Sequence, residues 1–281
     1  MRRLQGKTAY ITGGSRGIGY AIAVELVQAG ARVALLARSE DRLIEAEQRL
    51  VAMGEGVAVT HLSLDVSDRK AAERLLPELV DKFGGPDLLV NCHGATSVHY
   101  FTETSHDDLI RLLDVNIGGA WNTIQLLLPE LEKRRGTIAN VASVAGFIGL
   151  IGYAAYSASK FGLVGLSEVL RNELKPRGVR VCVLCPPDTD TPMLRAQNVI
   201  KPFETKVMSE SLPVKSAEYV ARAFVRGLRS RRFLIVPGLM ARLSLIVKGV
   251  APGLIFGIVD SDLRKAQKKM GQTSGQGESR V

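Results

Sequence analysis

Strand-like and helix-like segments alternate along most of this 281-residue chain, and this alternation restricts the fold more than any other sequence feature. The strand-like runs are TAYIT at 8–12, RVALLA at 32–37, and apolar stretches at 57–64, 87–91, 136–142 and 179–184. The helical stretches cover 18–29, 40–53, 68–83, 107–132 and 154–174. Such alternation predicts βαβ crossovers and a parallel sheet with helices on both faces. We therefore expect an α/β fold, a doubly wound parallel sheet within a single domain.

A glycine-rich turn follows the first strand-like run and leads into the first helix. It reads TGGSRGIG at 12–19. Glycines let the backbone turn tightly and approach a pyrophosphate, while the helix N-terminus offers free N–H groups and the positive end of its dipole. The predicted cofactor contacts in this turn are Gly13, Ser15, Arg16, Gly17, Ile18 and Gly19. The TGxxxGxG spacing resembles the cofactor fingerprint of the short-chain dehydrogenase/reductase family, which implies a Rossmann-type fold and a nicotinamide cofactor.

Arginines indicate which nicotinamide cofactor is bound. An acidic residue at the end of the second strand would bind the ribose 2′-hydroxyl of NAD, whereas this strand-like run is followed by Arg38. A guanidinium suits the 2′-phosphate of NADP, and Arg16 in the glycine-rich turn can approach the same phosphate. Arg42 is either a further phosphate contact or a solvent-exposed helix residue. We therefore predict NADPH/NADP+ as the cofactor.

The resemblance to the family implies further cofactor contacts after the third and fourth strands. Asp65 and Val66 resemble the pair that contacts the adenine. The run NCHG at 91–94 resembles an element that supports the sheet and borders the cofactor, so Asn91 and Gly94 are predicted contacts. His93 stands where the family has a small residue. It is either a group near the nicotinamide ribose or a side chain that fills space in the loop.

Tyr156 and Lys160 form a YxxxK pattern in the helical stretch 154–174. A spacing of four residues places the phenol and the ammonium on one face of a helix. A phenol with a pKa near ~10 is a poor acid at neutral pH, and a nearby cation lowers that pKa. We therefore expect Tyr156 to exchange a proton with a carbonyl group. Tyr153 is followed four residues later by Ser157, so it lacks the cationic partner.

Two polar residues complete a catalytic set in the order and spacing of the family. Ser143 lies 13 residues before Tyr156, just after a strand-like run, and Asn116 falls in the middle of a helical stretch. The resemblance implies that Tyr156 is the general acid/base and that Lys160 lowers its pKa and binds the nicotinamide ribose. It further implies that Ser143 orients the substrate oxygen and that Asn116 anchors a water-mediated proton relay. The alternative from another class, an NADPH-binding sensor without turnover, would be expected to lack part of this set.

The loop after the sixth strand indicates a class of substrate. It contains PPDTDTP at 186–192, where the family norm is a Pro-Gly pair, and KPFET follows at 201–205. Thr189 in this loop can reach the cofactor amide. The loop is similar to that of the subgroup that reduces 3-ketodihydrosphingosine, which implies an NADPH-dependent oxidoreductase of sphingolipid biosynthesis acting on a long-chain keto lipid. Another lipid or hydrophobic carbonyl compound, such as a 3-ketoacyl or steroid ketone, is the alternative substrate.

The C-terminal part of the chain carries the whole net charge of +9. Residues 222–281 contain 12 Lys+Arg and 3 Asp+Glu, whereas residues 1–221 contain 25 of each. This asymmetry argues against a generally basic nucleic-acid-binding protein. Within the apolar stretch, one side of a predicted helix carries Leu239, Leu243, Ile246, Val250 and Leu254. An apolar side flanked by cations suits an anionic membrane surface, and a lid or dimer-packing segment is the equal alternative.

These observations divide the chain into three parts. We expect a catalytic domain at 1–232, an apolar, membrane-surface segment at 233–262 and a basic, disordered tail at 263–281. No uncharged stretch of the apolar segment reaches the ~20 residues needed to span a bilayer. By resemblance to the family, the helical stretches 107–132 and 154–174 are expected to form a homodimer or homotetramer.

The cysteines and the N-terminus predict a cytoplasmic location, and the C-terminal segment adds the expectation of peripheral membrane association. Three cysteines cannot all pair, and the first residues contain no apolar signal region. Cys182 and Cys185 have CxxC spacing but lie within an apolar run, so we expect inert thiols rather than a redox or metal site.

Overall fold

The structure is a computed structural model, and it describes residues 4–210 and 213–278. The strands are β1 (Thr8–Thr12), β2 (Arg32–Ala37), β3 (Val59–Ser63), β4 (Leu88–Asn91), β5 (Thr137–Val141), β6 (Arg180–Leu184), β7 (Thr189–Asp190), β8 (Lys215–Ser216) and β9 (Leu234–Ile235). The helices are α1 (Gly17–Gln28), α2 (Glu40–Val51), α3 (Arg69–Phe83), α4 (His106–Leu113), α5 (Gly119–Lys133), α6 (Ala154–Leu174), α7 (Pro192–Ile200), α8 (Phe203–Glu210), α9 (Ala217–Arg229), α10 (Leu239–Val250) and α11 (Pro252–Glu278).

Seven strands form one parallel sheet in the order β3-β2-β1-β4-β5-β6-β9. The chain proceeds outward from β1 in one direction and from β4 in the other, so the strand order reverses between these two strands. In sheets of this kind, ligands bind beyond the carboxyl ends of the strands at the reversal. The predicted doubly wound parallel sheet is therefore confirmed, and it places a crevice beside the glycine-rich turn.

The sheet separates two apolar cores because the strands are buried on both faces. In β1, Ala9 and Ile11 face the core beneath α1, α2 and α9, whereas Tyr10 faces the core beneath α3, α5 and α6. Side chains alternate between the faces of a strand, so the continuous apolar runs seen in the sequence serve both cores. The rigid sheet fixes the positions of the loops that follow its strands.

The predicted single helix at 107–132 is interrupted in the structure. Helix α4 passes into a five-residue π-helical turn at Asp114–Gly118, and α5 follows directly. The side chain of Asn116 in this turn exchanges two hydrogen bonds with the main chain of Ala95, at 2.8 and 3.0 Å. Such widened turns are frequent at functional sites. Apolar periodicity did not reveal it, because the three segments follow one another without a gap and the apolar pattern predicts only that the stretch is helical.

The C-terminal part begins inside the sheet, because β9 contributes a seventh strand just beyond the predicted boundary at residue 232. Helices α10 and α11 follow, with breaks at Pro237-Gly238 and at Ala251-Pro252. Helix α11 reaches residue 278, so it includes most of the predicted tail at 263–281, and residues 279–281 lie outside the described residues. The division of the chain into three parts stays a prediction. In the described ranges, no helix combines the length and apolar character needed to cross a membrane.

Candidate active site

The glycine-rich turn between β1 and α1 packs too tightly for side chains at several positions. Gly13 has a φ of +65°, and a Cβ there would lie 2.8 Å from the carbonyl oxygen of Cys92. A Cβ on Gly19 would collide with the carbonyl oxygen of Gly13. The helix N-terminus is thus brought close against the neighbouring loop, while Arg16 at the start of α1 is exposed. The remaining predicted contacts of the turn, Ser15, Gly17 and Ile18, are partly exposed.

Thr12, at the end of β1, joins the glycine-rich turn to the loop after β4. Its hydroxyl accepts a hydrogen bond from the N–H of Cys92 at 3.1 Å and lies 2.6 Å from Nδ1 of His93. Nε2 of His93 is buried and has no hydrogen-bond partner among the described residues, and it faces Gly119. Burial, followed by the charge of Lys160, lowers the pKa of His93 to about 3. The imidazole is therefore neutral at physiological pH and fills space between the loop and the start of α5.

Arg38 and Asp65 lie side by side beyond the ends of β2 and β3. Nη1 of Arg38 is 3.8 Å from Oδ2 of Asp65, and the Arg38 side chain is 77% exposed. Burial works to raise the pKa of Asp65, but hydrogen bonds from Ser67 and the charge of Arg38 outweigh it and lower the pKa. Arg42 is exposed on α2. Two guanidinium groups, those of Arg38 and Arg16, are thus free to approach an anionic ligand at this end of the crevice.

Two predicted cofactor contacts have side chains that are occupied inside the protein. Asn91 donates to Oδ1 of Asn140 at 2.9 Å and accepts from Thr123 at 2.8 Å, so it ties β4 to β5 and α5. These bonds suit an element that supports the sheet, and a contact between Asn91 and the cofactor stays a prediction. The hydroxyl of Thr189 donates to the carbonyl of Pro187 at 2.7 Å, and Thr189 is buried. The side chain of Val66 is likewise buried, against α5.

Tyr156, Ser143 and Lys160 converge beyond the end of β5. Ser143 follows β5, and its hydroxyl hydrogen-bonds with Tyr156 on the first turn of α6. Nζ of Lys160 donates to the carbonyl of Val141 at 3.0 Å and lies 5.7 Å from the centre of the Tyr156 ring. The four-residue spacing on α6 thus brings phenol and ammonium to the same place, as the sequence predicts. The phenol is partly exposed, whereas the lysine is buried.

The expected lowering of the Tyr156 pKa is absent from the structure. Burial raises the pKa of Tyr156 to about 12 and outweighs the hydrogen bond from Ser143, which lowers it. The Lys160 ammonium is directed to the Val141 carbonyl, and burial lowers the pKa of Lys160 to about 8. At neutral pH the phenol therefore carries its proton and the lysine remains mostly charged. A protonated phenol is suited to donate a proton to a carbonyl oxygen, which is the step that a reduction requires.

Asn116 connects the π-helical turn to α6. Besides its two bonds to Ala95, its amide donates to the hydroxyl of Ser159 at 2.8 Å. A Cβ on Gly94 would lie 3.2 Å from Oδ1 of Asn116 and 3.5 Å from Nζ of Lys160. Glycine at this position therefore leaves the space between the two side chains open. The structure brings together all four predicted catalytic residues at one edge of the sheet.

The loop after β6 and helices α7 and α8 cover the other side of the tyrosine. Tyr153 donates to Oε1 of Gln197 at 3.0 Å, and its ring centre lies 5.8 Å from that of Tyr156. Lys201, whose side chain is 2% exposed, pairs with Asp188 at 3.5 Å. Sequence reasoning missed this ion pair, although its two members fall in the PPDTDTP and KPFET segments that the sequence had indicated.

The CxxC cysteines lie inside the protein, and Cys185 is beside the loop that carries Ser143. Cys182 lies in β6 and Cys185 just after it; both are fully buried, and all three cysteines of the chain, which lie in the described part, are free thiols. Burial raises the pKa of both thiols to about 12. Such thiols are poor nucleophiles, in keeping with the inert interpretation.

Comparison with known proteins identifies relatives. The chain is 40% identical over 228 residues to a 3-dehydrosphinganine reductase of Danio rerio, covering 80% of this chain and 69% of that protein. It is 35% identical over 260 residues to 3-dehydrosphinganine reductase TSC10A of Arabidopsis thaliana, covering 90% and 78%.

Solved structures show the same fold. A short-chain dehydrogenase/reductase from Burkholderia phymatum in complex with NAD matches with a TM-score of 0.79 and 25% identity, covering 90% of this chain and 96% of that one. L-sorbose reductase from Gluconobacter frateurii, complexed with NADPH and L-sorbose, matches with a TM-score of 0.75 and 27% identity, covering 85% and 98%. The family model described as short chain dehydrogenase matches residues 7–200. The chain therefore belongs to the short-chain dehydrogenase family.

Proposed function

We propose that the protein reduces the 3-keto group of 3-ketodihydrosphingosine to dihydrosphingosine with NADPH. The observation that carries this proposal is the convergence of Tyr156, Ser143 and Lys160 at the strand-order reversal, beside the glycine-rich turn. The substrate follows from the relatives, which are named for this reaction. The resemblance of the loop at 186–192 to that subgroup supports the same substrate.

The residues of the crevice fit an NADP-type dinucleotide. The tight turn at Gly13 and the N-terminus of α1 would hold the pyrophosphate, since free N–H groups and the helix dipole favour anions there. Arg38 and Arg16 are exposed and would bind the 2′-phosphate, and Asp65 beside Arg38 lies where the adenine would be held. The open space at Gly94 beside Lys160 suits the nicotinamide ribose. NADPH bound in this way supplies the hydride that the carbonyl carbon receives.

The protein contributes position and a proton. The side chains of Ser143 and Tyr156 interact with each other, so a carbonyl oxygen held beside both hydroxyl groups would accept a hydrogen bond from Ser143 and the proton of Tyr156. The charge of Lys160 stabilises the phenolate that remains. Asn116 holds the main chain at Ala95 and the hydroxyl of Ser159, which suits its proposed part in a water-mediated path that returns the proton.

The test is NADPH oxidation by the purified protein with 3-ketodihydrosphingosine. The wild type is expected to consume NADPH, and Tyr156→Phe should lose at least about two orders of magnitude in kcat while binding NADPH normally, because only the proton donor is removed. Tyr219→Phe on α9, outside the four predicted catalytic residues, is the matched control and should retain activity. Full activity of Tyr156→Phe would refute the mechanism.

Competing ketones test the substrate. The alternative function, reduction of another lipid carbonyl such as a 3-ketoacyl or steroid ketone, predicts a higher kcat/KM for one of those compounds. Side-by-side rates with the three ketones distinguish the two functions, and a preference for a steroid or 3-ketoacyl compound would contradict our proposal. An NADPH-binding sensor would bind NADPH but would not oxidise it in the presence of any of the three ketones.

We also propose that α10 and α11 rest on an anionic membrane surface, with the protein on its cytoplasmic side. The five residues of the predicted apolar side are all exposed, namely Leu239 (68%), Leu243 (45%), Ile246 (59%), Val250 (83%) and Leu254 (63%). Cations such as Arg242 and Lys265 accompany them. Apolar side chains with flanking cations favour anionic lipid interfaces.

Vesicle sedimentation tests the membrane proposal. The protein is expected to bind vesicles that contain phosphatidylserine more strongly than neutral ones, and Ile246→Ser with Val250→Ser should weaken binding. Val51→Ser, at an exposed position on α2, is the control. Unchanged binding of the double variant would favour the lid alternative, which has its own support because α11 packs against α8.

A homodimer or homotetramer is proposed through α4, α5 and α6. Large apolar side chains on these helices are exposed, including Ile110, Trp121, Phe161 and Val169. Light scattering would measure the mass, and a monomer at micromolar concentration would contradict this proposal.

A further inference from the structure

Asp188 is held close to the catalytic serine by the main chain. It lies two residues after Pro186, whose carbonyl accepts the N–H of Val144 at 3.0 Å, and Val144 directly follows Ser143. The carbonyl of Asp188 itself accepts the N–H of Lys215 at 2.9 Å. The loop after β6 is thus joined on one side to the loop that carries Ser143 and on the other to β8. The position of Asp188 beside the crevice is therefore fixed.

The Asp188 carboxylate is partly open to solvent, whereas its cationic partner is not. The side chain of Asp188 is 36% exposed, that of Lys201 is 2% exposed, and Nζ of Lys201 lies 3.5 Å from Oδ2. A buried ammonium at this distance orients the carboxylate. Lys201 is itself anchored at the end of α7, where its N–H donates to the carbonyl of Gln197 at 2.9 Å.

The charge of Asp188 reaches the tyrosines of the crevice. After burial, Asp188 is the next group that raises the pKa of Tyr153, and it is also among the groups that raise the pKa of Tyr156. The carboxylate therefore lies within electrostatic reach of the hydroxyl that would bind the reacting carbonyl oxygen. The Lys160 ammonium lies on the same helix as Tyr156, so the crevice has both a cation and an anion near the phenol.

The chemistry of a 3-keto sphingoid base requires such an anion. Carbon 2 of this substrate, next to the carbonyl carbon, carries a primary amine that is an ammonium ion at neutral pH. A carbonyl oxygen bound by Tyr156 brings this ammonium into the same small region as the charge of Lys160, which repels it. Resting on the function proposed above, we propose that Asp188, oriented by Lys201, binds the carbon-2 ammonium and selects amino ketones over ketones without an amine.

Asp190 provides a matched control two residues away in the same loop. Its side chain is 56% exposed and pairs with Arg195 at 2.8 Å, on the outside of α7. The two aspartates therefore share the loop and differ in their surroundings. If any carboxylate in the loop could attract a cationic substrate, removing the charge of Asp190 would reduce the preference for the amino ketone as much as removing that of Asp188.

The experiment compares two ketones of equal chain length, 3-ketodihydrosphingosine and the same 1-hydroxy-3-ketone without the amine. The wild type is expected to prefer the amino ketone by about tenfold to a hundredfold in kcat/KM, the range of one charge-assisted hydrogen bond. Asp188→Asn should bring the amino ketone down to the level of the amine-free ketone, with unchanged NADPH affinity. Asp188→Glu should retain part of the preference, and Asp190→Asn all of it.

The outcomes separate this inference from the function on which it rests. A wild type that does not reduce the amino ketone contradicts the proposed function. A wild type that reduces both ketones equally, or an Asp188→Asn variant that keeps the wild-type preference, overturns only the role of Asp188. Loss of NADPH binding in Asp188→Asn together with loss of preference in Asp188→Glu would also overturn it, since the residue would then be structural.

Discussion

Replacing Lys160 by methionine should abolish activity and at the same time stabilise the protein. Lys160 is 4% exposed, and burial lowers its pKa from an ordinary value of 10.5 to about 8. Keeping a buried ammonium charged at neutral pH therefore costs free energy of folding. Methionine has a similar length and no charge, so it fills the same volume without that cost.

The magnitude follows from the pKa. At about 1.4 kcal/mol for each pH unit, the difference between 10.5 and about 8 corresponds to about 3 kcal/mol at pH 7. The variant loses the bond to the Val141 carbonyl, which costs about 1 kcal/mol. Lys160→Met should thus raise the free energy of unfolding by about 2 kcal/mol at pH 7.

The stability difference between Lys160→Met and the wild type should also depend on pH. Between about pH 8 and pH 10.5 the unfolded chain holds the Lys160 proton more tightly than the folded chain, so wild-type stability gains from this residue as the pH rises. The methionine variant lacks this gain, and its advantage should shrink at about pH 9.5.

Urea unfolding without cofactor, followed by circular dichroism at both pH values, measures these changes. Lys82→Met, at a position 78% exposed on α3, is the control and should change stability by less than about 0.5 kcal/mol. The reasoning would be refuted if Lys160→Met were less stable than the wild type at pH 7, or if its advantage did not depend on pH.

Three further substitutions test other parts of the site. Arg38→Ala should weaken NADPH binding by about tenfold or more and leave NADH binding unchanged, because only NADPH has the 2′-phosphate. Titration calorimetry measures both affinities, and the same measurement on Arg42→Ala decides whether Arg42 also contributes. Gly13→Ala should abolish cofactor binding and lower the melting temperature, since its Cβ would meet a main-chain carbonyl, whereas Gly54→Ala meets nothing within 4 Å and should change neither. Asn116→Ala should lower the free energy of unfolding, measured with urea, by about 2–4 kcal/mol, because it leaves buried hydrogen-bond partners unpaired. A loss below about 0.5 kcal/mol would contradict a stabilising role of these hydrogen bonds.

The fold and the shared location of Tyr156 and Lys160 could be predicted because they depend on local spacing. Alternating strands and helices determine a parallel sheet, and the spacing of Tyr156 and Lys160 determines a shared helix face whatever surrounds it. The glycine-rich turn is also local, since Gly13 must adopt a positive φ between a strand and a helix.

What the sequence did not reveal depends on burial and on contacts between distant segments. The raised pKa of Tyr156 comes from its surroundings, which a four-residue spacing does not specify. The side chain of Asn91 bonds to Thr123 and Asn140, which are 32 and 49 residues away, so only the folded chain shows these bonds. The pairing of Asp188 with Lys201 is likewise a tertiary contact.

The widened turn at Asp114–Gly118 affects how the fold would respond to the loss of a residue between α4 and α5. A widened turn holds one residue more than an ordinary α-helical turn, while the residues on either side keep their faces. Deleting one residue there would therefore return the segment to α-helical winding without rotating α5, and Thr123 would stay in the interior, where it bonds to Asn91. The deletion would instead displace Asn116, whose side chain bonds to Ala95 from within the turn. A change of chain length in this stretch would therefore alter the candidate site before it altered the fold.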